Sequence, residues 1–350
     1  MAKELFDTSS AEAFSASLMK ACELSMNLNL IGVGEELGLF SSLVESAKTY
    51  DELAVACGCH ARYVKEWCLA MGAAGTLRYA DGKYSVPEEI HGAMNAHGLL
   101  GGTLAAVVSH DRGTIVECFR TGKGIPWGDR DPRQPACTCT FFRPLYEGYL
   151  VESIPDDLKA KLKGGGSIAD VGCGHGLSAK LIAEAFPEAT VRGYDYHDKS
   201  IEAAKAKHGD VPNLAFHIAS AADFGEVAAF FDAVCFFDCF HDMAVAVEAA
   251  KHSKDQLKDG GVVVLIEPMA AEEDDPIQQF ALPTATVFAP CSCTCCLPCG
   301  LCDNGDGLGT LCPTSTHRDI FVNQAGFKSL TSLKSPMNEH GFRLLLAEKE

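Results

Sequence analysis

The residues that decide the fold are DVGCGHG, at positions 170–176. They follow a short apolar run and precede LSAKLIAEAF, whose apolar residues have helical spacing, so they are expected to join a strand to a helix. Gly172, Gly174 and Gly176 let the backbone approach a ligand closely, and the start of the helix offers unpaired N–H groups. Their spacing lacks the longer second gap of GxGxxG, and an acidic residue precedes the first glycine by two. Both features distinguish the loop from that of dinucleotide-binding folds.

Short apolar runs alternate with helical segments from Gly166 onward. The runs are SIADVGCG, TVRGYDY, LAFHIASA, FDAVCFFDCF and GGVVVLIEPM. This alternation predicts an α/β fold with a Rossmann-like, doubly wound, mostly parallel sheet and right-handed crossovers. The second run carries Asp195 at the end of its predicted strand, where a carboxylate can accept hydrogen bonds from two ribose hydroxyls.

The N-terminal part has a different pattern. Residues 13–38 have helical apolar spacing, and residues 49–86 follow as a helix, a turn, a second helix and two short strands joined at Asp81-Gly82, a favoured tight-turn pair. This order is the outline of a winged helix. The second helix, residues 61–73, carries no basic stripe, so we expect it to serve packing or dimerisation rather than binding to DNA.

Composition narrows the function further. The 350 residues carry a formal charge of -18, which repels phosphate backbones and anionic membranes, so neither is an expected partner. No stretch reaches 18 uninterrupted apolar residues, and the N-terminus lacks the basic and apolar regions of a secretory signal. Seventeen cysteines without such a signal favour a reducing compartment, and we therefore expect a cytoplasmic protein.

The ordered motifs resemble those of class I S-adenosylmethionine-dependent methyltransferases. They are DVGCGHG, Asp195, AADF at 221–224 and DCFHDM at 238–243. The resemblance covers roughly residues 165–350. With its winged-helix outline the whole chain is similar to two-domain small-molecule O- and S-methyltransferases, in which GLGT and AGF recur near the C-terminus, as at 307–310 and 325–327 here.

This resemblance implies S-adenosylmethionine as the cosubstrate and assigns its contacts. The glycines flank the methionine end, Asp195 binds the ribose, Asp223 and Phe224 meet the adenine edge and face, and the backbone near Asp238 holds the amino group. An alternative for Asp223 is a helix N-cap. The full set of expected cosubstrate-binding residues is Asp170, Gly172, Gly174, Gly176, Asp195, Tyr196, Asp223, Phe224 and Asp238.

The acceptor side is expected at His241, just past the fourth strand, where ligands of such sheets bind. In methyltransferases acting on phenolic hydroxyls, a similar histidine followed by aspartate is the base, and an acid at the end of the fifth strand orients it. The resemblance therefore assigns catalysis to His241, Asp242 and Glu267. The alternative is a solvent-facing His241 at a helix start. His252, on the following helix, is expected at the surface.

One departure weakens that assignment. The phenol-methylating enzymes carry a second glutamate after the lid segment, but residues 308–316 read LGTLCPTST here, with Cys312 near the place. The carboxylate cradle of a histidine base is then incomplete. Because a thiol ionises more readily than a hydroxyl, the sequence slightly favours a sulfur acceptor over oxygen.

Residues 291–302, CSCTCCLPCGLC, contain six cysteines. A structural metal site, disulfides, capture of a metalloid substrate such as arsenite, and the wall of an acceptor pocket all remain open. The second CxxC of a structural zinc site is missing, so we expect pocket wall and no metal. The thiols that could still hold a metal or metalloid are Cys295, Cys296, Cys299 and Cys302.

The sequence thus predicts a cytoplasmic methyltransferase that uses S-adenosylmethionine to methylate a thiol, thioether or hydroxyl of a small organic acceptor. Its rivals are an O-methyltransferase with His241 as base, an arsenite methyltransferase and a cofactor-sensing winged-helix regulator. A homodimer through the N-terminal domain is expected. The predicted domains are a winged-helix or dimerisation domain at 1–94, a helical connector and lid at 95–160, and a methyltransferase domain at 161–350 whose residues 270–313 close over the acceptor.

Overall fold

The computed structural model describes residues 5–97, 111–225 and 227–350. The chain divides into two compact units. One holds Asp111–Pro135 and Leu145–Glu350, and the other holds the described residues before Asp111 together with Ala136–Pro144. Within the described residues, no helix is both long enough and apolar enough to cross a membrane.

The N-terminal unit is a helical bundle with a small hairpin. Its main elements are α1 (Ala11–Glu36), α2 (Leu39–Glu45), α3 (Tyr50–Ala56), α4 (Ala61–Ala73), β1 (Arg78–Ala80), β2 (Lys83–Ser85) and α5 (Glu88–His97). The side chain of Thr49 caps α3 by accepting a hydrogen bond from the N–H of Glu52, whose own side chain bonds back to the Thr49 N–H. The order of three helices followed by a helix at residues 61–73 and a two-stranded hairpin confirms the predicted winged helix.

The core of this unit forms where α1 meets α4. The Trp67 ring packs edge-on against Phe40, with ring centroids 4.9 Å apart, and its indole N–H donates to the Leu30 carbonyl at 2.9 Å. A Cβ on Gly34 would lie 2.4 Å from the Trp67 ring, so glycine allows this close approach. The buried face of α4 is therefore used for packing inside the unit.

The larger unit contains most of the remaining elements. Helix α7 (Gln134–Leu145) has most of its residues in the smaller unit. The main helices of the larger unit are α6 (Arg112–Thr121), α8 (Asp156–Lys163), α9 (Leu177–Ala185), α10 (Asp198–His208), α11 (Ala246–Gln256), α12 (Pro276–Phe280), α13 (Ala285–Cys291), α14 (Leu297–Gly300) and α15 (Thr314–Arg318). Its strands are β3 (Ser167–Val171), β4 (Thr190–Asp195), β5 (Leu214–Ile218), β6 (Phe231–Phe237), β7 (Leu257–Pro268), β8 (Ser329–Leu333) and β9 (Phe342–Glu348).

The seven strands form one sheet in the order β5-β4-β3-β6-β7-β9-β8. The first five are parallel to one another, and β9 runs antiparallel to both β7 and β8. Every residue of β3 is buried, as expected of a central parallel strand covered on both faces. The predicted doubly wound, mostly parallel sheet is confirmed, and the carboxyl ends of β3, β4, β6 and β7 meet at one edge.

Candidate active site

The loop after β3 is shaped by glycine. Gly172, Gly174 and Gly176 have φ angles of 77°, 52° and 81°, in the left-handed region that other residues rarely adopt. The backbone N–H of Gly172 donates to the Tyr194 carbonyl at 2.7 Å, which ties the loop to the end of β4. A Cβ on Gly176 would lie 2.5 Å from the ring of Phe216, so this position excludes any side chain.

Two of these glycines should differ in their tolerance of alanine. Gly176→Ala adds the strain of a left-handed backbone, about 1–2 kcal/mol, to the cost of overpacking against Phe216, about 1–3 kcal/mol. We therefore expect the free energy of unfolding to fall by about 2–5 kcal/mol. Gly174→Ala is the matched control, because nothing lies within 4 Å of its Cβ position and only the strain applies. Denaturant unfolding of both variants measures the difference. Equal losses would contradict the close packing at Gly176.

Asp195 connects the loop to the end of β4. Its Oδ2 accepts from the N–H of Gly174 at 2.9 Å, and its Oδ1 accepts from the N–H of His197 at 2.8 Å. Burial raises the pKa of Asp195. Each carboxylate oxygen has further lone pairs, so both can still accept from ligand hydroxyls while holding the loop.

Asp170 lies beneath the loop and is 1% exposed. It accepts a hydrogen bond of 2.5 Å from the Ser178 hydroxyl on α9, and burial raises the pKa of Asp170 to about 7. Tyr196, by contrast, has its side chain 59% exposed beyond the end of β4.

The expected adenine contacts have unequal positions. Asp223 is exposed in a turn, and the next described α-helix begins only at Ala246, so the N-cap alternative for Asp223 is wrong. The Phe224 ring is 1% exposed and packs against Tyr194 and edge-on against His252. The structure thus gives Phe224 a packing role, and its contact with adenine stays a prediction.

His252 corrects another expectation. It is half-buried rather than at the surface, and its Nε2 lies 2.7 Å from the carbonyl oxygen and 3.0 Å from the amide nitrogen of Phe224. The imidazole of α11 therefore fixes the backbone of the segment that leaves β5. The sequence placed His252 on a helix but gave no sign of this long-range contact.

The catalytic candidates meet at the carboxyl ends of β6 and β7. Asp238, with φ of 55°, directly follows β6 and donates its N–H to the Ile266 carbonyl at 2.7 Å. A short 3₁₀ turn, Phe240–Asp242, follows and carries His241, which is 2% exposed. The solvent-facing alternative for His241 is therefore wrong.

Glu267 orients the imidazole. It is 0% exposed, and its Oε2 lies 2.5 Å from Nδ1 of His241, while its Oε1 accepts from the N–H of Phe240 at 3.0 Å. On the other side of the ring, Nε2 lies 3.2 Å from Oδ1 of Asp242. Burial opposes the charge of the imidazole, but Glu267 and Asp242 outweigh it and raise the pKa of His241 to about 10.

No carboxylate from residues 308–316 completes the cradle. The neighbour of Glu267 is Arg343 instead. Strand β9 pairs with β7 in a register that places the two residues opposite each other. The guanidinium of Arg343 donates to the Thr314 hydroxyl at 2.7 Å and to the Cys312 carbonyl at 2.5 Å. Burial would raise the pKa of Glu267, but His241 and Arg343 outweigh it and lower this pKa.

The structure adds residues that sequence reasoning missed. Tyr146 is partly buried, and its hydroxyl donates to the Phe237 carbonyl at 3.2 Å, at the end of β6 beside the site. Arg343 is the other, since only the pairing of β9 brings it to Glu267. An aromatic residue in an unpatterned connector and an arginine in a C-terminal strand carried no local signal.

The cysteine-rich segment is mostly helical. Residues 285–300 form one helix, here called the cysteine-rich helix, made of α13, a π turn at Ser292–Cys296 and α14. Pro298 has no N–H to donate to the Thr294 carbonyl. Arg130, from the Pro- and Gly-rich connector, donates to that carbonyl at 3.0 Å and to the Cys295 carbonyl at 2.9 Å.

All seventeen cysteines lie in the described residues and are free thiols. Of the four candidate metal-binding thiols, Cys295, Cys296 and Cys299 are buried, and Cys302 is half-buried.

Comparison with known proteins agrees with this architecture. Residues 168–261 match the family described as a methyltransferase domain, and residues 25–95 match the Rv2258c-like winged HTH domain. A trans-aconitate 2-methyltransferase from Methylobacterium radiotolerans is 47% identical over 53 residues, which are 15% of this chain and 19% of that protein. The chain thus matches only about a fifth of this curated relative.

Solved structures resemble the chain over nearly its whole length. An O-methyltransferase family protein from Burkholderia thailandensis shares 16% identity over 96% of this chain and 98% of its own, with a TM-score of 0.69. Human N-acetylserotonin methyltransferase, solved in complex with SAM, shares 17% identity over 98% and 99% of the two chains, with a TM-score of 0.67. These similarities confirm the fold predicted from the sequence.

Proposed function

We propose that this chain, which has a class I methyltransferase fold and an N-terminal winged-helix domain, transfers a methyl group from S-adenosylmethionine to a hydroxyl of a small organic acceptor. The observation that carries the proposal is the buried contact of 2.5 Å between Glu267 and Nδ1 of His241. A carboxylate on Nδ1 fixes the proton there and leaves Nε2 to accept a proton. Oxygen is preferred here over the sulfur that the sequence slightly favoured, because this pair is fully formed.

The carboxyl edge of the sheet suits a cationic cosubstrate. Asp195, Asp242 and Glu267 all lie at or near it, and negative charge at this edge attracts a sulfonium. In the proposed complex the glycine loop would face the methionine end, and Asp195 the ribose. S-adenosylmethionine supplies an electrophilic methyl group, and the chain's task is to align it with the acceptor for in-line displacement.

His241 would act at the acceptor. In its neutral form Nε2 takes the hydroxyl proton as the oxygen attacks the methyl carbon, and Glu267 stabilises the resulting imidazolium. Asp242 lies on the Nε2 side of the ring, so the acceptor hydroxyl would approach beside its carboxylate. The products are the methyl ether, S-adenosylhomocysteine and a proton that later leaves to solvent.

A sulfur acceptor is the second candidate. Arg343 and the Cys312 carbonyl stand where a second carboxylate of a histidine base was expected. A thiol with a pKa near 8.5 needs less help to ionise than a phenol near 10, so a simpler cradle would suffice for it.

A screen of small acceptors tests the proposal. The purified chain is supplied with S-adenosylmethionine and phenols, hydroxy acids or thiols, and S-adenosylhomocysteine is measured. Turnover with a phenol or hydroxy acid is the expected result. Turnover with thiols alone would establish the second candidate, and none with any acceptor would overturn both.

The pH profile gives a further prediction. Since only neutral His241 can accept a proton, kcat/KM for a hydroxyl acceptor should rise with pH towards about 10. The charged groups that face the ring are Glu267 from β7, and Asp238 and Asp242 after β6. Asp242→Asn removes one negative neighbour, which lowers the pKa of His241 and moves the rising limb to lower pH. Profiles are recorded in chelator-treated, metal-free buffer.

Asp259→Asn is the matched control for this shift. Asp259 is an exposed carboxylate of β7, so its replacement makes the same charge change away from the ring. Its profile should coincide with that of the parent chain. An Asp242→Asn profile that also coincides would contradict the electrostatic account of His241.

Two finer expectations stay predictions. A homodimer through the N-terminal unit is supported by apolar side chains that α1 leaves exposed, which light scattering can test. These are Phe14, Leu18, Met19, Leu24 and Met26. A cytoplasmic location is the other, and it rests on composition alone.

A further inference from the structure

Three different ligand types converge beside the base. A ring nitrogen of His241, a carboxylate oxygen of Asp242 and Sγ of Cys296 all lie within 4.8 Å of one another, and Nε2 is the ring nitrogen that faces Asp242. In the part of the chain that the structure describes, they form the one such group of three or more. We propose that these atoms bind a thiophilic divalent cation of the zinc class.

The ligand set fits that class of cation. Zinc binds histidine nitrogen, carboxylate oxygen and thiolate sulfur in a tetrahedron with bonds of about 2.0–2.3 Å, which places ligand atoms roughly 3.3–3.8 Å apart. Nε2 of His241 and Oδ1 of Asp242 are already 3.2 Å apart. Bringing Cys296 into range therefore needs a movement of about 1 Å at most.

Two neighbouring groups prepare the site. Glu267 holds Nδ1 of His241, and a carboxylate behind a metal-binding histidine both sets its tautomer and strengthens its lone pair. Oδ1 of Asp242 is buried and, among the described residues, meets no hydrogen-bond criterion, with Nε2 of His241 3.2 Å away and the Cys296 thiol also beside the carboxylate. Burying such an oxygen is costly, and a cation would satisfy it.

The site also has an approach from outside. Cys291 lies one helical turn before Cys296 and is half-buried, with its Sγ 4.0 Å from that of Cys296. Its thiol can receive a soft cation first or serve as the fourth ligand. Cys295 is less suited, because its sulfur faces Gln134, whose amide nitrogen lies 2.9 Å away.

Bound cation and acceptor proton would compete for Nε2. A zinc-class cation on that lone pair displaces the proton and leaves His241 unable to act as base, so bound zinc should inhibit methyl transfer and a chelator should restore it. This consequence rests on the proposed function. The binding itself does not, and can be measured without any acceptor.

Titration of the reduced, chelator-treated chain of 350 residues with Zn²⁺ by calorimetry, and with Co²⁺ by absorption, tests the binding. We expect one cation per chain and a sulfur-to-cobalt charge-transfer band. Cys296→Ser should weaken the band, leaving at most the contribution of Cys291, and weaken binding by more than the about 10–100-fold that loss of a ligand's supporting partner costs. Cys295→Ser is the control and should keep both.

Asp242→Asn is a second test in case Cys296→Ser misfolds. It keeps the shape of the side chain and should also weaken binding of the cation. An unchanged band in Cys296→Ser, or no stoichiometric binding by the parent chain, overturns the site. Cation binding without methyl transfer on any acceptor leaves the site standing and removes the proposed function. Methyl transfer without cation binding does the reverse.

Discussion

His241→Asn should lower kcat for a hydroxyl acceptor by about 10²–10⁴-fold, the usual worth of a positioned general base. Asparagine is chosen because its amide can still donate to Glu267 and so avoids leaving that buried carboxylate without a partner, which would be strongly destabilising. It offers no basic nitrogen where Nε2 stood. Release of S-adenosylhomocysteine at saturating cosubstrate gives the rate.

His208→Asn makes the same substitution at the end of α10, outside the pair of His241 and Glu267, and should leave kcat unchanged. Cosubstrate affinity should also be nearly unchanged in His241→Asn, since the ring holds no part of the glycine loop. A loss of only a few-fold with a hydroxyl acceptor would contradict the base. The same small loss with a thiol acceptor at alkaline pH would instead support the second candidate.

Asp195→Asn should weaken binding of S-adenosylmethionine by about 10²-fold or more. Two charge-assisted hydrogen bonds to ribose hydroxyls are worth about 1.5–3 kcal/mol each, and every 1.4 kcal/mol is tenfold in affinity. The two oxygens of Asp195 also accept hydrogen bonds from the N–H groups of Gly174 and His197. In the variant, the NH₂ group of asparagine would face one of these N–H groups, and that hydrogen bond would be lost. Calorimetry of the variant measures the effect.

Asp198→Asn provides the matched control, because Asp198 is exposed at the start of α10 and loses the same charge. Its affinity should equal that of the parent chain. If both variants bind alike, Asp195 does not contact the cosubstrate. A thermal melt of Asp195→Asn separates lost contacts from a collapsed loop.

Local patterns predicted much of this molecule. Alternating apolar runs and the glycine spacing depend on backbone geometry within a few residues, so the sheet, the loop and the 61–73 helix could be read directly. His241 and Glu267 also follow from position, because the ends of adjacent parallel strands meet at one edge. Their contact at 2.5 Å agrees with that expectation.

The remaining features depend on distant pairings. Arg343 reaches Glu267 only because β9 runs antiparallel to β7 in one particular register. Arg130 is buried because Pro298 frees a carbonyl far along the chain, and His252 is half-buried because it holds the Phe224 backbone. The cysteine-rich run left several kinds of site open, and among the described residues Cys296 is its one thiol within 4.8 Å of ligand atoms of both His241 and Asp242.

The central claim is that the glycine loop and Asp195 bind S-adenosylmethionine rather than a dinucleotide. Calorimetric titration of the purified chain with S-adenosylhomocysteine, and separately with NAD⁺, tests it most directly. We predict saturable binding of one S-adenosylhomocysteine per chain and no measurable binding of NAD⁺. Binding of NAD⁺ alone, or of neither ligand by a chain shown to be folded, would contradict it.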